Sequence, residues 1–203
     1  MARMYVYGAG GHGNVVREIL EGNGVEVIAL LDDDSCAKHP KSAFSNDFDL
    51  PNLDAPIVIG VGDNSDRRDI AQLCKPLFGT AVHESAIISP SSEIGAGTVV
   101  LQGAIIQARS QIGEHVLINT GASVDHDNVI GSFAHISPRV ALCGHVEVGE
   151  GAHVGVGAVA IPRVKIGKWA VVGAGTVLIE DVPDYAVVVG NPAKILRIDE
   201  PCG

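Results

Sequence analysis

From Val82 to Pro183 the chain keeps a period of six without a break. Each hexad is led by an aliphatic residue, from Val82, Ile88 and Ile94 through Val124, Ile130 and Ile136 to Leu178; of 17 leads only Ala160 is not Val, Ile or Leu. Four residues after each lead stands Ala, Ser, Thr or Val, except at Asn128. Glycine directly follows the lead at 95, 113, 131, 149, 155, 167 and 173. A helix repeats at 3.6 residues and a plain strand at 2, so a period of six fits neither alone. It fits a coil whose flat sides take one hexad each. The lead then points inward and stacks on its counterpart one coil away, and the small residue fills the tighter space by the corner. The recurrent glycine is expected to ease a sharp backbone turn there. This is the hexapeptide β-helix pattern. With three hexads to a coil, the run holds between five and six coils. An aromatic content of 4% and 25 glycines suit such close-packed repetition better than a core of large rings. An inert spacer is one use of a solenoid, but polar residues break this pattern in one region, as a binding surface requires.

Ahead of the repeat, Met4–Gly8 reads as a buried strand, followed by Gly8-Ala9-Gly10-Gly11-His12-Gly13 and a segment with helical spacing of Val15, Val16, Ile19 and Leu20. Val25–Leu31 reads as a second strand that ends in Asp32-Asp33-Asp34. Ile57–Val61 reads as a third, ending in Gly62-Asp63-Asn64 before a helix from Ser65 to Cys74. Strand, glycine turn, helix, strand and acidic residue is the order of a mononucleotide-binding βαβ unit. Glycines admit a phosphate close to the backbone, and a helix N-terminus offers free N–H groups and a favourable dipole. Gly10, Gly11, His12, Gly13 and Gly62 are therefore candidate contacts to a nucleotide-linked substrate, with Asp32 or Asp33 for its ribose or base. His12 is alternatively a solvated loop histidine, and the aspartates a simple polar turn. The segment ahead of the repeat, with three strands, is too short for a dinucleotide fold, so no NAD chemistry is expected. The fold expected overall is a Rossmann-like α/β βαβ domain over 1–80 and an all-β parallel β-helix over 81–203. Residues 35–51 read as a loop without legible chemistry.

The net charge of -10 argues against nucleic acid as a partner. Cys36, Cys74, Cys143 and Cys202 have no CxxC or metal-like spacing, so free thiols in a reducing compartment are expected, with Cys143 a small buried residue. The N-terminal MARMYVYGAGGHG lacks the apolar run of a signal peptide, and no apolar stretch long enough to span a bilayer follows; a cytoplasmic chain without membrane insertion is expected.

YGAGGHG, LDD, IGVGDN, AVHESAIISPSSEIG, NTGASVDHD and VVGNPAK are spread along nearly the whole chain, from Tyr7 to Lys194. In this combination the chain resembles the bacterial sugar acyltransferases that acetylate nucleotide-linked sugars. These include the UDP-4-amino-sugar N-acetyltransferases of bacillosamine synthesis, GDP-perosamine N-acetyltransferases and relatives of sialic acid O-acetyltransferases. The resemblance implies a left-handed sense for the β-helix, a homotrimer, and acetyl-CoA as co-substrate in a groove between neighbouring subunits. It implies that His126 is the general base, that Asp127 orients its imidazole, and that Asn119 lies near the acceptor. His135, Gly144, Val156 and Ala174 are implied contacts to acetyl-CoA. Independently, a step of three hexads from His126 lands on Ala108 and Gly144, small residues that leave room for two substrates to meet. His135 and His153 are also three hexads apart and should stack in one column; with no third ligand in register, no metal is expected. His83, His115 and His145 read as structural. The expected reaction is N-acetylation of a UDP-linked 4-amino sugar. GDP-perosamine as acceptor, O-acetylation of a sugar, and a nucleotide-sugar-binding scaffold without turnover stand as alternatives.

Overall fold

The computed structural model describes residues 2–33, 42–44, 49–74 and 77–199. Asp34, Cys36, Cys202 and most of the 35–51 loop lie outside the described residues. The N-terminal unit is a parallel four-stranded sheet, in the order β3-β2-β1-β4, made of β1 (Arg3–Tyr7), β2 (Glu26–Asp32), β3 (Ser42–Phe44) and β4 (Ile57–Ile59). Helix α1 (Gly11–Gly22) joins β1 to β2 and buries Val16, Ile19 and Leu20, the apolar stripe visible in the sequence. Helix α2 (Asn64–Cys74) follows β4. β3 is a strand that hydrophobic patterning did not reveal.

From Ala81 to Leu178 the chain forms 17 two-residue strands, each ending on a hexad lead, wound into three parallel sheets. Paired strands are three hexads apart, as in Ser123 with Ala141 and Gln111 with Val129. This is the left-handed parallel β-helix, about six turns long. Its axis is filled by the stacked leads, Ile112, Ile130, Val148 and Ile166 among them, and by the small column of Ala122, Ala134, Ala152 and Ala158. Each buried Val or Ile removes enough apolar surface to stabilise the rod by about 1.5–3 kcal/mol. Asn128, the exception in the small column, is fully buried; its Nδ2 donates to the Asp125 carbonyl at 2.8 Å and its Oδ1 accepts from Val146 N.

The glycine after the lead has a different cause from the one expected. A Cβ on Gly131 would lie 2.5 Å from Glu150 N of the next coil, so close stacking of coils excludes a side chain there. Left-handed backbone falls two residues later, where nine non-glycine residues adopt it, among them Arg109, Asp127, His145 and Arg163 in one column.

The three faces of the rod differ. The face led by Val100, Ile118 and Ile136 carries Val99 and Leu117 outward, and both are buried against the N-terminal unit. The face led by Ile112, Ile130 and Val148 turns Gln111, Glu147 and Lys165 to solvent. The third, led by Ile106, Val124 and Leu142, presents Ile87, Ile105, Val159 and Val177, with Ile87 66% and Val159 37% exposed.

One side chain does most to fasten the two units. Arg67 of α2 is fully buried, and its five N–H groups reach six acceptors: the carbonyls of Val61, Gly62, Asp63, His115 and Phe133, and Asn64 Oδ1. No carboxylate lies within ion-pair distance among the described residues. Burial lowers its pKa to about 10, which still leaves it charged at neutral pH. Asn64 Nδ2 reaches the Gly151 carbonyl at 3.0 Å. His115 is buried against Phe133, stacked at 5.1 Å, and Phe78, edge-on at 4.4 Å.

Burial first, and Arg67 second, push the His115 pKa down to about 4. In the unfolded chain it titrates near the ordinary value of about 6.5. Between those values the unfolded chain binds a proton that the folded chain refuses, so stability falls as pH drops through that window. The loss is expected to reach at most about 3 kcal/mol by pH 4. Denaturant unfolding at several pH values checks it: His115→Phe should make the fall between pH 6.5 and 4 shallower by one proton's worth, the rest belonging to His135, His153 and His12, and an unchanged slope would show that His115 contributes none of it.

Candidate active site

The glycine turn is built from both ends. Ala9 N donates to Asp32 Oδ2 at 2.6 Å, and the Tyr7 hydroxyl donates to Asp33 Oδ1 at 2.7 Å. Both aspartates expected to meet a ribose therefore brace the turn from within; carboxylates with several lone pairs keep capacity for a ligand. Gly13 is required by packing: a Cβ there would collide with the Gly8 carbonyl oxygen, where α1 crosses β1. Gly10 and Gly11 are different, since a Cβ at either meets nothing within 4 Å. They border open space, and Gly10 caps α1 with no side-chain hydrogen bond. The N-terminus of α2 is capped by its own chain: Asp63 Oδ1 accepts from Ser65 N at 2.8 Å and Ser65 Oγ at 2.6 Å. An anion therefore finds an uncapped dipole at α1 and a carboxylate already in place at α2.

Beside α2 lies a cavity of about 620 Å³ lined by Gly62, Asp63, His135, His153, Trp169 and Tyr185, among others. The Arg68 guanidinium stacks over Trp169 at 4.8 Å. His135 and His153 stack in register at 4.8 Å, as their spacing predicts. Asn119 Nδ2 lies 3.1 Å from His135 Nε2, and Ser137 Oγ lies 3.0 Å from His153 Nε2. Burial, then the neighbouring His153, Arg67 and His12, press the His135 pKa down to about 3, so its ring is neutral and can donate or accept. His12 is drawn down by burial as well, and its Nε2 is buried without a partner among the described residues.

His126 is elsewhere in the fold. It lies at the corner between the apolar and the polar face, its side chain 46% exposed. Its Nδ1 is 2.7 Å from Asp127 Oδ2, and its backbone N donates to Asp125 Oδ1 at 2.8 Å. The Asp125 carbonyl is pinned by Ser110 Oγ at 2.7 Å and by Asn128. Gly144 lies against the ring, where a Cβ would come within 2.7 Å of His126 Cε1. The aspartate arm thus reaches the imidazole. Arg109 grips Asp127 through Nε to Oδ1 and a terminal guanidinium nitrogen to Oδ2, both at 2.7 Å. With Arg109 first and His126 second, the Asp127 carboxyl is held well below the usual carboxylate range. His145 Nε2 comes to 3.8 Å of Asp127 Oδ2, and its ring meets His126 edge-on at 5.5 Å. His126, Asp127 and His145 could group around a cation, but a guanidinium already occupies both carboxylate oxygens.

The sequence-derived residues therefore fall into separate groups. His126, Asp127 and Gly144 share one corner. Asn119 pairs with His135 on the face beneath the N-terminal unit, not with His126. Val156 and Ala174 sit on the third corner, both exposed, in adjacent coils. His145, expected to be structural, joins the His126 corner. Cys143 is exposed rather than buried, because the residue after a lead turns outward on that face.

The PglD N-terminal domain family matches residues 3–73. The GDP-perosamine N-acetyltransferase of Caulobacter crescentus, solved with CoA and GDP-perosamine, is 38% identical over 97% of this chain and 98% of that one, with a TM-score of 0.91. The chain belongs to the bacterial nucleotide-sugar N-acetyltransferases. The acetyltransferase domain of PglB from Neisseria gonorrhoeae is 34% identical over 97% of this chain and all of that domain, with a TM-score of 0.87. The UDP-N-acetylbacillosamine N-acetyltransferase of Bacillus subtilis is 43% identical over 110 residues, which span about half of each chain (48% of this one and 50% of that one). By this membership the chain is an enzyme of the acyltransferase class.

Proposed function

We propose that the chain transfers the acetyl group of acetyl-CoA to the amine of a nucleotide-linked 4-amino sugar, with His126 as general base. The observation that carries this is the His126–Asp127 pair. Asp127 accepts from Nδ1 at 2.7 Å, which fixes the tautomer and leaves Nε2 as the lone-pair nitrogen on an exposed corner. The amine attacks the thioester carbonyl, Nε2 takes the proton the amine loses, and the C–S bond breaks as the tetrahedral intermediate collapses. The departing CoA thiolate receives that proton, leaving an amide and free thiol. No enzyme nucleophile is needed, since thioesters react directly with amines. Gly10 and Gly11 at the uncapped α1 terminus take the pyrophosphate. Neutral His135, His12 and the cavity beside α2 favour an uncharged sugar or acyl portion over a second phosphate.

We further infer a homotrimer. His126 and the glycine turn lie on different sides of one rod, so a second copy must bring a base to the sugar. The uncovered apolar face with Ile87, Ile105, Val159 and Val177 supplies a contact surface for it. Sedimentation should give three times the mass of one chain; a monomer at working concentration would leave the site divided and contradict the assembly.

The UDP-linked acceptor is preferred, supported by the Bacillus relative, whose name carries a UDP sugar. The Caulobacter enzyme, similar over nearly the whole chain, supports a GDP-linked acceptor as the second reading. Thiol release with matched UDP- and GDP-linked 4-amino sugars decides between them: the higher kcat/KM names the nucleotide, and release with neither would sink the acceptor class. Gly10→Val tests the phosphate contact. Its Cβ has open space and φ is -74°, so the fold should tolerate it. The sugar-nucleotide KM should rise about ten- to hundred-fold while the acetyl-CoA KM holds; equal loss of both would indicate misfolding instead.

A further inference from the structure

We propose that Arg109 is a positioning residue for the acetyl transfer, holding the Asp127 carboxylate in the plane from which Oδ2 can accept from His126 Nδ1. This rests on the general-base reading of His126. Arg109 lies one coil before Asp127 in the same column, and both have left-handed backbone, with φ 59° and 58°. The contact is two-pronged, both arms at 2.7 Å. A carboxylate alone rotates broadly about its last torsion. A guanidinium fork meeting both oxygens removes that freedom, which a single ammonium cannot do. Oδ2 is then shared by Arg109 and His126, with His145 approaching at 3.8 Å from the next coil and Asp125 holding the backbone N of His126.

The arrangement has a specific consequence. The guanidinium offsets much of the charge of Asp127, so Asp127 acts on His126 mainly by fixing tautomer and ring direction. Asp127 remains ionised through the working range of pH, because Arg109 holds its carboxyl low. It therefore accepts from Nδ1, and in the neutral ring Nε2 is the nitrogen that carries the lone pair. Arg109 itself touches neither substrate in this scheme. Its side chain is 66% exposed, so solvent weakens the pair and a moderate effect is expected.

The test is steady-state kinetics on Arg109→Gln, Arg109→Lys, Asp127→Asn, the Arg109→Gln/Asp127→Asn double variant and His126→Ala. Arg109→Gln should lower kcat roughly five- to thirty-fold with both KM values within about twofold of the parent. Arg109→Lys, which keeps the charge but loses the fork, should recover part of the loss. Because Arg109 acts through Asp127, the double variant should be no worse than Asp127→Asn alone. An unchanged kcat in Arg109→Gln, a loss confined to KM, or losses that multiply in the double variant would each overturn the proposal. Should Arg109→Gln not fold, the same cycle run with Arg109→Lys decides. If His126→Ala keeps its activity the general-base reading itself fails, an outcome separate from any result at Arg109.

Discussion

His126→Ala is expected to cut kcat by roughly 10²–10⁴, the usual worth of a positioned general base. Both KM values should stay close to the parent's. The ring is half exposed and packs against Gly144 and His145 rather than inside the hydrophobic axis, so its removal should not disturb the coils. Asp127→Asn should lose less, since an amide oxygen can still accept from Nδ1 while Arg109 loses its ionic partner. If His126→Ala turns over at near parental kcat on a folded protein, the attacking amine gives its proton to water and the assignment is wrong.

Arg67→Met should cause the largest loss of stability of any single change considered. It leaves five carbonyls and the Asn64 amide oxygen without their donor at a buried junction. Breaking a buried charge-assisted network from one side costs about 3–5 kcal/mol. For a chain of this size that corresponds to a melting temperature lower by about 6–20 °C. Arg67→Lys should fall between, since one ammonium has three donors where the guanidinium has five to serve its six acceptors. Calorimetry checks this, and a loss below about 1 kcal/mol would mean that water satisfies these carbonyls as well as the arginine does.

Much of the fold was legible because a solenoid repeats its requirements. Each inward position must fit its counterpart three hexads away, so three columns stay in register and expose the coil length. The glycine turn was legible from its strand–turn–helix context, although Gly13 proved to serve the packing of α1 on β1. Arg67 was not legible: beside Arg68 in a polar helix it looks like any surface arginine, and its acceptors His115 and Phe133 lie far along the chain. Arg109 and His145 were within reach, because each is three hexads from Asp127, the same step that led from His126 to Gly144. Asn128 was the clearest unused signal. A buried amide replaces the small residue in that hexad, and its bonds to the Asp125 carbonyl and Val146 N hold the corner that carries His126. The separation of Asn119 from His126 was also within reach of the spacing, because residues just over one hexad apart on a three-sided coil turn to different faces.

The identity of the product tests amine acetylation most directly. The protein is incubated with acetyl-CoA and a UDP- or GDP-linked 4-amino sugar, and the sugar nucleotide is weighed by mass spectrometry before and after treatment with hydroxylamine, which cleaves esters and spares amides. One added acetyl group that survives hydroxylamine, formed in step with free CoA thiol, is the expected result. An acetyl group removed by hydroxylamine, or no transfer to either amino sugar, would contradict it.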